Sequence, residues 1–239
     1  MPEDAENGAP ARERILGRLR RAPGGRPAPP SDFSVLAAKS WDTAERLARL
    51  RRAMAAVKAE FLPAPPAAWP ARVWEFLRAA GARNLLYGPG SPLALDLEGA
   101  FAGPAGLSAQ GSPLLVPYDR PVEEWKGSLF TGIDAAITTC LGGIAETGGL
   151  VLAPSPAEPR LLSLVPPIHL VLLDPACIWD TLWQALRELG WAAGMPPNAL
   201  VISGPSKTAD IEQTLAYGVH GPKRLVVVLL DGSAAPGDA

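Results

Sequence analysis

The sequence predicts an α/β fold built on a parallel sheet, and three observations carry that expectation. Leu225 to Leu230 contains only Val and Leu, the composition of a strand covered on both faces. Apolar runs of strand length recur at Asn84 to Tyr87, Leu114 to Pro117, Ala135 to Thr139, Gly149 to Leu152, Ile168 to Leu173 and Leu200 to Ser203. Helix-like runs, Pro175 to Leu189 and Ala209 to Tyr217, separate the last three strands. Strand, helix and strand alternating through short links is the pattern of right-handed parallel crossovers.

The elements follow in chain order. Residues 1–35 mix charge with Pro and Gly, as in Pro23-Gly24-Gly25-Arg26-Pro27, so a mobile N-terminal segment is expected, with a short helix over Arg12 to Arg21. Residues 36–66 read as an N-terminal helical appendage and linker. Leu47, Leu50, Met54, Val57 and Phe61 recur at steps of three and four from Trp41, and Asp42 with Glu45 resembles a capping box. Pro63-Ala64-Pro65-Pro66 ends that helix. Residues 67–239 form the α/β domain, opening with a helix over Ala71 to Ala80 that Gly81 closes. In the 175–189 helix, Ile178, Leu182, Leu186 and Leu189 share one side, and Gly190 stops it.

Composition excludes several classes. The 239 residues suffice for one domain with a smaller appendage, and 48% are apolar. With 22 basic and 24 acidic residues the chain lacks the basic excess of a nucleic-acid binder. The arginines between Arg12 and Arg26 read as a solvated tail, and those between Arg46 and Arg52 as the wet face of a helix. No apolar run reaches about 18 residues, so no transmembrane span is expected. The acidic start Met1-Pro2-Glu3-Asp4 has no apolar region of a signal peptide, and a cytoplasmic location is the expectation. Cys140 and Cys177 are the only cysteines and His169 and His220 the only histidines, so no metal site is expected in this chain.

Two stretches point to chemistry. Ser203-Gly204-Pro205-Ser206-Lys207-Thr208 lies between an apolar strand and a helix-like run. Backbone N–H groups, hydroxyls and Lys207 there suit a small anion, and an ordinary capped turn fits equally. Asp210 and Glu212 in the following turn already complement a helix dipole. The second stretch is Gly143-Ile144-Ala145-Glu146-Thr147-Gly148-Gly149. A carboxylate in a glycine-rich bend beside a buried strand suits acid–base or nucleophilic work, which makes Glu146 a candidate catalytic residue with Gly143, Thr147 and Gly148 around it. A plain turn is the alternative. His169, after Pro166-Pro167, is a weaker catalytic candidate at the start of a strand, and His220 a turn residue. Glu146 and the 203–208 loop are expected to border one polar pocket. Walker A, dinucleotide, nucleophile-elbow and HExxH motifs are absent.

Ser203 to Glu212 with Gly218-Val219-His220-Gly221-Pro222 resembles the C-terminal signature of the lactate-utilisation protein C family (LutC/YkgG, the LUD domain). Gly143 to Leu152 resembles its second signature, and Val165-Pro166-Pro167-Ile168-His169 is a looser third match. The resemblance covers about residues 130 to 230, and nothing before residue 70 contributes. It implies a three-layer Rossmann-like sandwich of the NagB/RpiA/CoA-transferase-like type, in whose CoA transferases a glutamate is nucleophile. It further implies a component of bacterial L-lactate oxidation to pyruvate. Having too few cysteines for a cluster, the chain would hold no cofactor itself and work with iron–sulfur partner proteins. A stand-alone enzyme or sensor for a small anionic metabolite is the alternative.

Overall fold

In the computed structural model, residues 11–21, 32–102, 105–111, 113–209, 215–217 and 221–231 are described. In chain order the helices are α1 (Ala11–Arg21), α2 (Ser34–Ala37), α3 (Thr43–Ala56), α4 (Trp69–Ala79), α5 (Ala94–Phe101), α6 (Val122–Gly132) and α7 (Leu182–Glu188). The strands are β1 (Glu60–Ala64), β2 (Asn84–Tyr87), β3 (Leu114–Pro117), β4 (Ala135–Thr139), β5 (Gly142–Ile144) and β6 (Gly149–Leu152). They continue with β7 (Ile168–Leu173), β8 (Ile178–Trp179), β9 (Leu200–Ile202), β10 (Lys207–Ala209), β11 (Leu215–Tyr217) and β12 (Arg224–Leu230). The chain divides into two compact units, Met1–Val35 and Leu36–Ala239. In the first, α1 carries Arg12, Arg14, Arg18, Arg20 and Arg21 against Glu13; the remainder of the tract expected to be mobile lies outside the described residues.

The fold of the second unit is α/β. Its main sheet is six-stranded and parallel, in the order β1-β12-β7-β4-β2-β3. β12 lies between two neighbours, which is why every residue from Leu225 to Leu229 is apolar and at most 1% exposed. Alternation along the strands splits the core. Val226, Val228, Leu170 and Ile137 face α4 and α5, meeting Trp69, Val73, Leu77 and Leu97. Leu225, Val227, Leu229 and Val171 face α3 and a smaller sheet, meeting Leu50, Met54, Leu150 and Ile178. On that same face, Trp125 and Leu129 of α6 cover Leu86 and Ala136. The smaller sheet runs β8-β5-β6-β9.

Four local expectations are corrected. The helix from residue 41 is capped by Asp42, which accepts from the Glu45 N–H at 2.8 Å, but it does not reach Phe61. Lys58 takes a left-handed φ of 68°, and Glu60 to Ala64 then pairs in parallel with Val226 to Leu230. Pro63 is tolerated because β1 is an edge strand. The 175–189 helix is reduced to Leu182–Glu188: Ile178 and Trp179, strand formers, pair with Gly143 and Ile144, and Thr181 caps the shorter helix. Leu200–Ile202 leaves the parallel pattern and joins β6 antiparallel, because the main-sheet position beside β7 is taken by β12. The helix expected over 209–217 is replaced by antiparallel pairing of Lys207–Ala209 with Leu215–Tyr217; Asp210 and Glu212 lie outside the described residues. The expected elements do not include helices α5 and α6, although Ala94, Leu97 and Phe101, and Val122, Trp125 and Leu129, fall at steps of three and four.

Candidate functional site

Glu146 sits at the tip of the β5–β6 hairpin. The turn is held by the Gly148 N–H donating to the Ile144 carbonyl at 2.9 Å, and by Ala145 and Glu146 N–H groups donating to the Trp179 and Asp180 carbonyls. The glycines beside it serve packing. A Cβ on Gly143 would lie 3.0 Å from the Leu50 side chain, and one on Gly148 would lie 2.5 Å from the Ala53 Cβ. Gly148 also has a φ of +70°, a conformation that other residues adopt at a cost. Helix α3 thus rests directly on this hairpin, and Thr147 is exposed.

The Glu146 carboxylate is paired with the Lys39 ammonium, their side chains 27% and 33% exposed. Lys39 lines a cleft of about 350 Å³ whose other polar walls include Ser40, Arg46, Asp180, Gln184, Arg187 and Glu188. Its floor is an ion pair whose carboxylate is buried and whose guanidinium is partly exposed. Arg46 donates to both oxygens of Asp180, Nε at 2.7 Å and a terminal nitrogen at 2.8 Å. The Trp41 N–H adds a third bond at 3.0 Å, and Asp180 is 4% exposed. The hydrogen bonds to Asp180 raise the Arg46 pKa further above its usual range. Glu188 accepts from Trp179 Nε1 at 2.7 Å and from Gln184 Nε2 at 3.0 Å. Arg187 lies over the Trp183 ring at 4.6 Å. Lys39 and Arg187 are therefore the cations this cleft presents to a small anion, since Arg46 is committed to Asp180. An incoming carboxylate would displace only the half-exposed Glu146, and pairs of that kind contribute about 0–1 kcal/mol.

The 203–207 loop does not line this cleft. Gly204 packs on Val57 at the end of α3, where a Cβ would come within 2.9 Å, and the Ser206 N–H donates to the Pro222 carbonyl at 2.8 Å. Ser203 and Lys207 are exposed, and Thr208 is in β10. Glu146 and this loop are therefore placed around different neighbours. His220 lies outside the described residues.

His169 is fully buried in β7, its Nε2 2.9 Å from Thr138 Oγ1 and its Nδ1 without a partner. Burial lowers its pKa to about 3. The folded state keeps the ring neutral while the unfolded chain protonates it near its ordinary value. Its contribution to stability is therefore complete above pH about 6.5 and is lost progressively as pH falls towards about 3. We expect the unfolding free energy to drop by about 1 kcal/mol per pH unit more steeply in the wild type than in His169→Asn between pH 6.5 and 5, read by urea denaturation. Parallel slopes would contradict a neutral buried ring.

Sequence reasoning missed Lys39, Arg46, Asp180 and Arg187. A signal existed for one: Arg46 continues the stripe of Leu50 and Met54 at steps of four, so it faces inward and needs a buried partner. Asp180 carries no such periodic cue. Among the described residues no group of three or more His, Cys, Asp or Glu is placed to hold a metal ion, and no helix is long and apolar enough to cross a membrane.

Comparison with known proteins adds a family. The family profile described as the LUD domain matches residues 47–230. An uncharacterised protein of Neisseria meningitidis serogroup B is 38% identical over 233 residues, covering 95% of this chain and 97% of that one. A lactate utilization protein C of Deinococcus radiodurans is 29% identical over 199 residues, covering 78% and 94% respectively. The crystal structure of a DUF162 family protein from Deinococcus radiodurans matches with a TM-score of 0.57 at 21% identity, covering 80% of this chain and 99% of that one. That last likeness bears on the fold alone.

Proposed function

The chain belongs to the LUD-domain family, and from that premise we propose that it serves a bacterial L-lactate utilisation system that oxidises lactate to pyruvate. The observation that carries the reading is the near full-length similarity to a protein named for lactate utilisation, which this chain covers over 94% of its length. Oxidation of the hydroxyl carbon releases an electron pair that must be accepted elsewhere. With two cysteines this chain cannot supply four thiolates to a cluster, and the family resemblance points to iron–sulfur partner proteins as the acceptors. The chain's own part is then to bind the acid or to join the partners, with the Lys39–Glu146 rim as its polar face. The layering of helices and small sheet about the six strands further supports the NagB/RpiA/CoA-transferase-like reading of the fold.

Size-exclusion chromatography of the purified chain with the iron–sulfur proteins of such a system is the direct check. Co-elution as a defined complex is expected, and separate elution at micromolar concentrations would speak against it. A second reading, a stand-alone enzyme or sensor for a small anionic metabolite, rests on the paired but accessible Lys39 and Glu146. It requires that the purified chain alone turn over or bind an acyl, sugar-phosphate or hydroxy-acid compound, and that Glu146→Gln abolish this.

A further inference from the structure

The order of the main sheet creates a crevice away from the cleft described above. From β2 the chain moves outward to β3 and then returns to the opposite side of β2 to form β4. Where successive crossovers depart in opposite directions, the loops beyond the strands' carboxyl ends part, and ligands of open parallel sheets lodge between them. Here the space between the ends of β2 and β4 is occupied by the chain's own segment 153–159. The residue after β2 is Gly88, where a Cβ would lie 1.9 Å from the Ala157 carbonyl oxygen, so only glycine admits the segment.

The contact at β4 is chemically specific. Glu158 places its carboxylate on Thr139, the last residue of the strand, accepting from the backbone N–H at 2.9 Å and from Oγ1 at 2.6 Å. Burial raises its pKa, with the bonds from Thr139 opposing the shift. Thr138, Thr139, Glu158 and Ser163 line a residual space of about 10 Å³, enough for about one water. Thr138 and Ser163 are 2% and 3% exposed, and behind Thr138 stands His169, fully buried with Nδ1 unpartnered. His169 Nδ1 is a buried polar atom without a partner, which native cores rarely leave.

The covering segment is braced internally. The Ser155 N–H donates to the Glu158 carbonyl at 3.0 Å, and Ser155 Oγ accepts from the Ala157 and Glu158 N–H groups at 3.2 Å. Pro154, Pro156 and Pro159 stiffen it further.

We propose that the β2–β4 crevice is a binding site for a small carboxylate, in which the ligand's carboxylate takes the place of Glu158 on the Thr139 N–H and Oγ1. Donors arranged for one carboxylate suit another. The hydroxyls of Thr138 and Ser163 favour a polar substituent next to it, as in a 2-hydroxy or 2-oxo acid. The proposal rests on the lactate reading only in the choice of probe.

The test is titration of L-lactate into the wild type, Glu158→Ala and Glu158→Ala/Thr139→Val, following the backbone amide resonance of residue 139 in each. Removing the internal competitor is expected to tighten binding about tenfold, and the second substitution to remove that gain. Glu158→Ser, polar but too short to reach the Thr139 donors, gives the same comparison if Glu158→Ala does not fold. Equal affinity in the wild type and either Glu158 variant, or no shift at residue 139 in any of them, would overturn the site. Tighter binding of inorganic phosphate than of L-lactate by the Glu158 variant would overturn the ligand class. If the site fails while lactate oxidation still needs the chain, the pathway reading stands without it.

Discussion

Arg46→Met is expected to lower the unfolding free energy by about 3 kcal/mol, read from urea denaturation at neutral pH. The reason is the state of the partner left behind. Asp180 is 4% exposed and takes both its side-chain charge compensation and two of its hydrogen bonds from Arg46. Without the guanidinium the carboxylate keeps the Trp41 N–H, and its charge has lost its counter-ion. The Ile178 carbonyl also loses the Arg46 donor at 3.2 Å. Removing both charges is gentler: Arg46→Met/Asp180→Asn is expected to be more stable than Arg46→Met alone, since no uncompensated charge stays buried. If Arg46→Met lost less than about 0.5 kcal/mol, the pair would be a surface contact and not the buried floor of the cleft.

Gly148→Ala is the second large effect, expected to cost about 2–5 kcal/mol with thermal unfolding lowered accordingly. Two terms combine. A left-handed φ costs an alanine about 1–2 kcal/mol, and overpacking adds about 1–3 kcal/mol. The added Cβ would meet the Ala53 Cβ at 2.5 Å and the Met54 backbone nitrogen at 3.0 Å, neither of which is a flexible side-chain end. Helix α3 would have to retreat and take Leu50 and Met54 out of the core they fill. Thr147→Ala, one residue away on an exposed side chain, is expected within about 0.5 kcal/mol of the wild type. Similar losses at both positions would refute the view that the glycine motif is there to seat α3.

These two positions show what is legible in the sequence and what is concealed. The glycine-rich stretch is visible as a motif, and the bend it implies is the turn between β5 and β6. The reason for its glycines is hidden because the neighbour, α3, is about a hundred residues earlier in the chain. Strands are readable where burial on both faces writes continuous apolar runs, as in β7 and β12. β1 is obscured by Pro63, which only an edge position permits, and β5 and β8 by their shortness. The helix over Pro175 to Leu189 is overextended in the sequence pattern because Ile178 falls in phase with Leu182 by coincidence, while Thr181 is the cap where the helix begins. The shared pocket expected for Glu146 and the 203–208 loop depends on tertiary placement, which local pattern does not encode. Arg46 is readable in principle from its step of four to Leu50, but its basic neighbours Arg51 and Arg52 give the segment the look of a solvent-facing stripe.

On the reading proposed above, this chain works within lactate oxidation through partners that carry the redox centres. The most direct measurement is L-lactate-dependent reduction of an acceptor by the iron–sulfur proteins of such a system, with and without the chain. Electron transfer is expected to depend on adding it. Full activity in its absence, unchanged on addition over a range of ratios, would rule out that role.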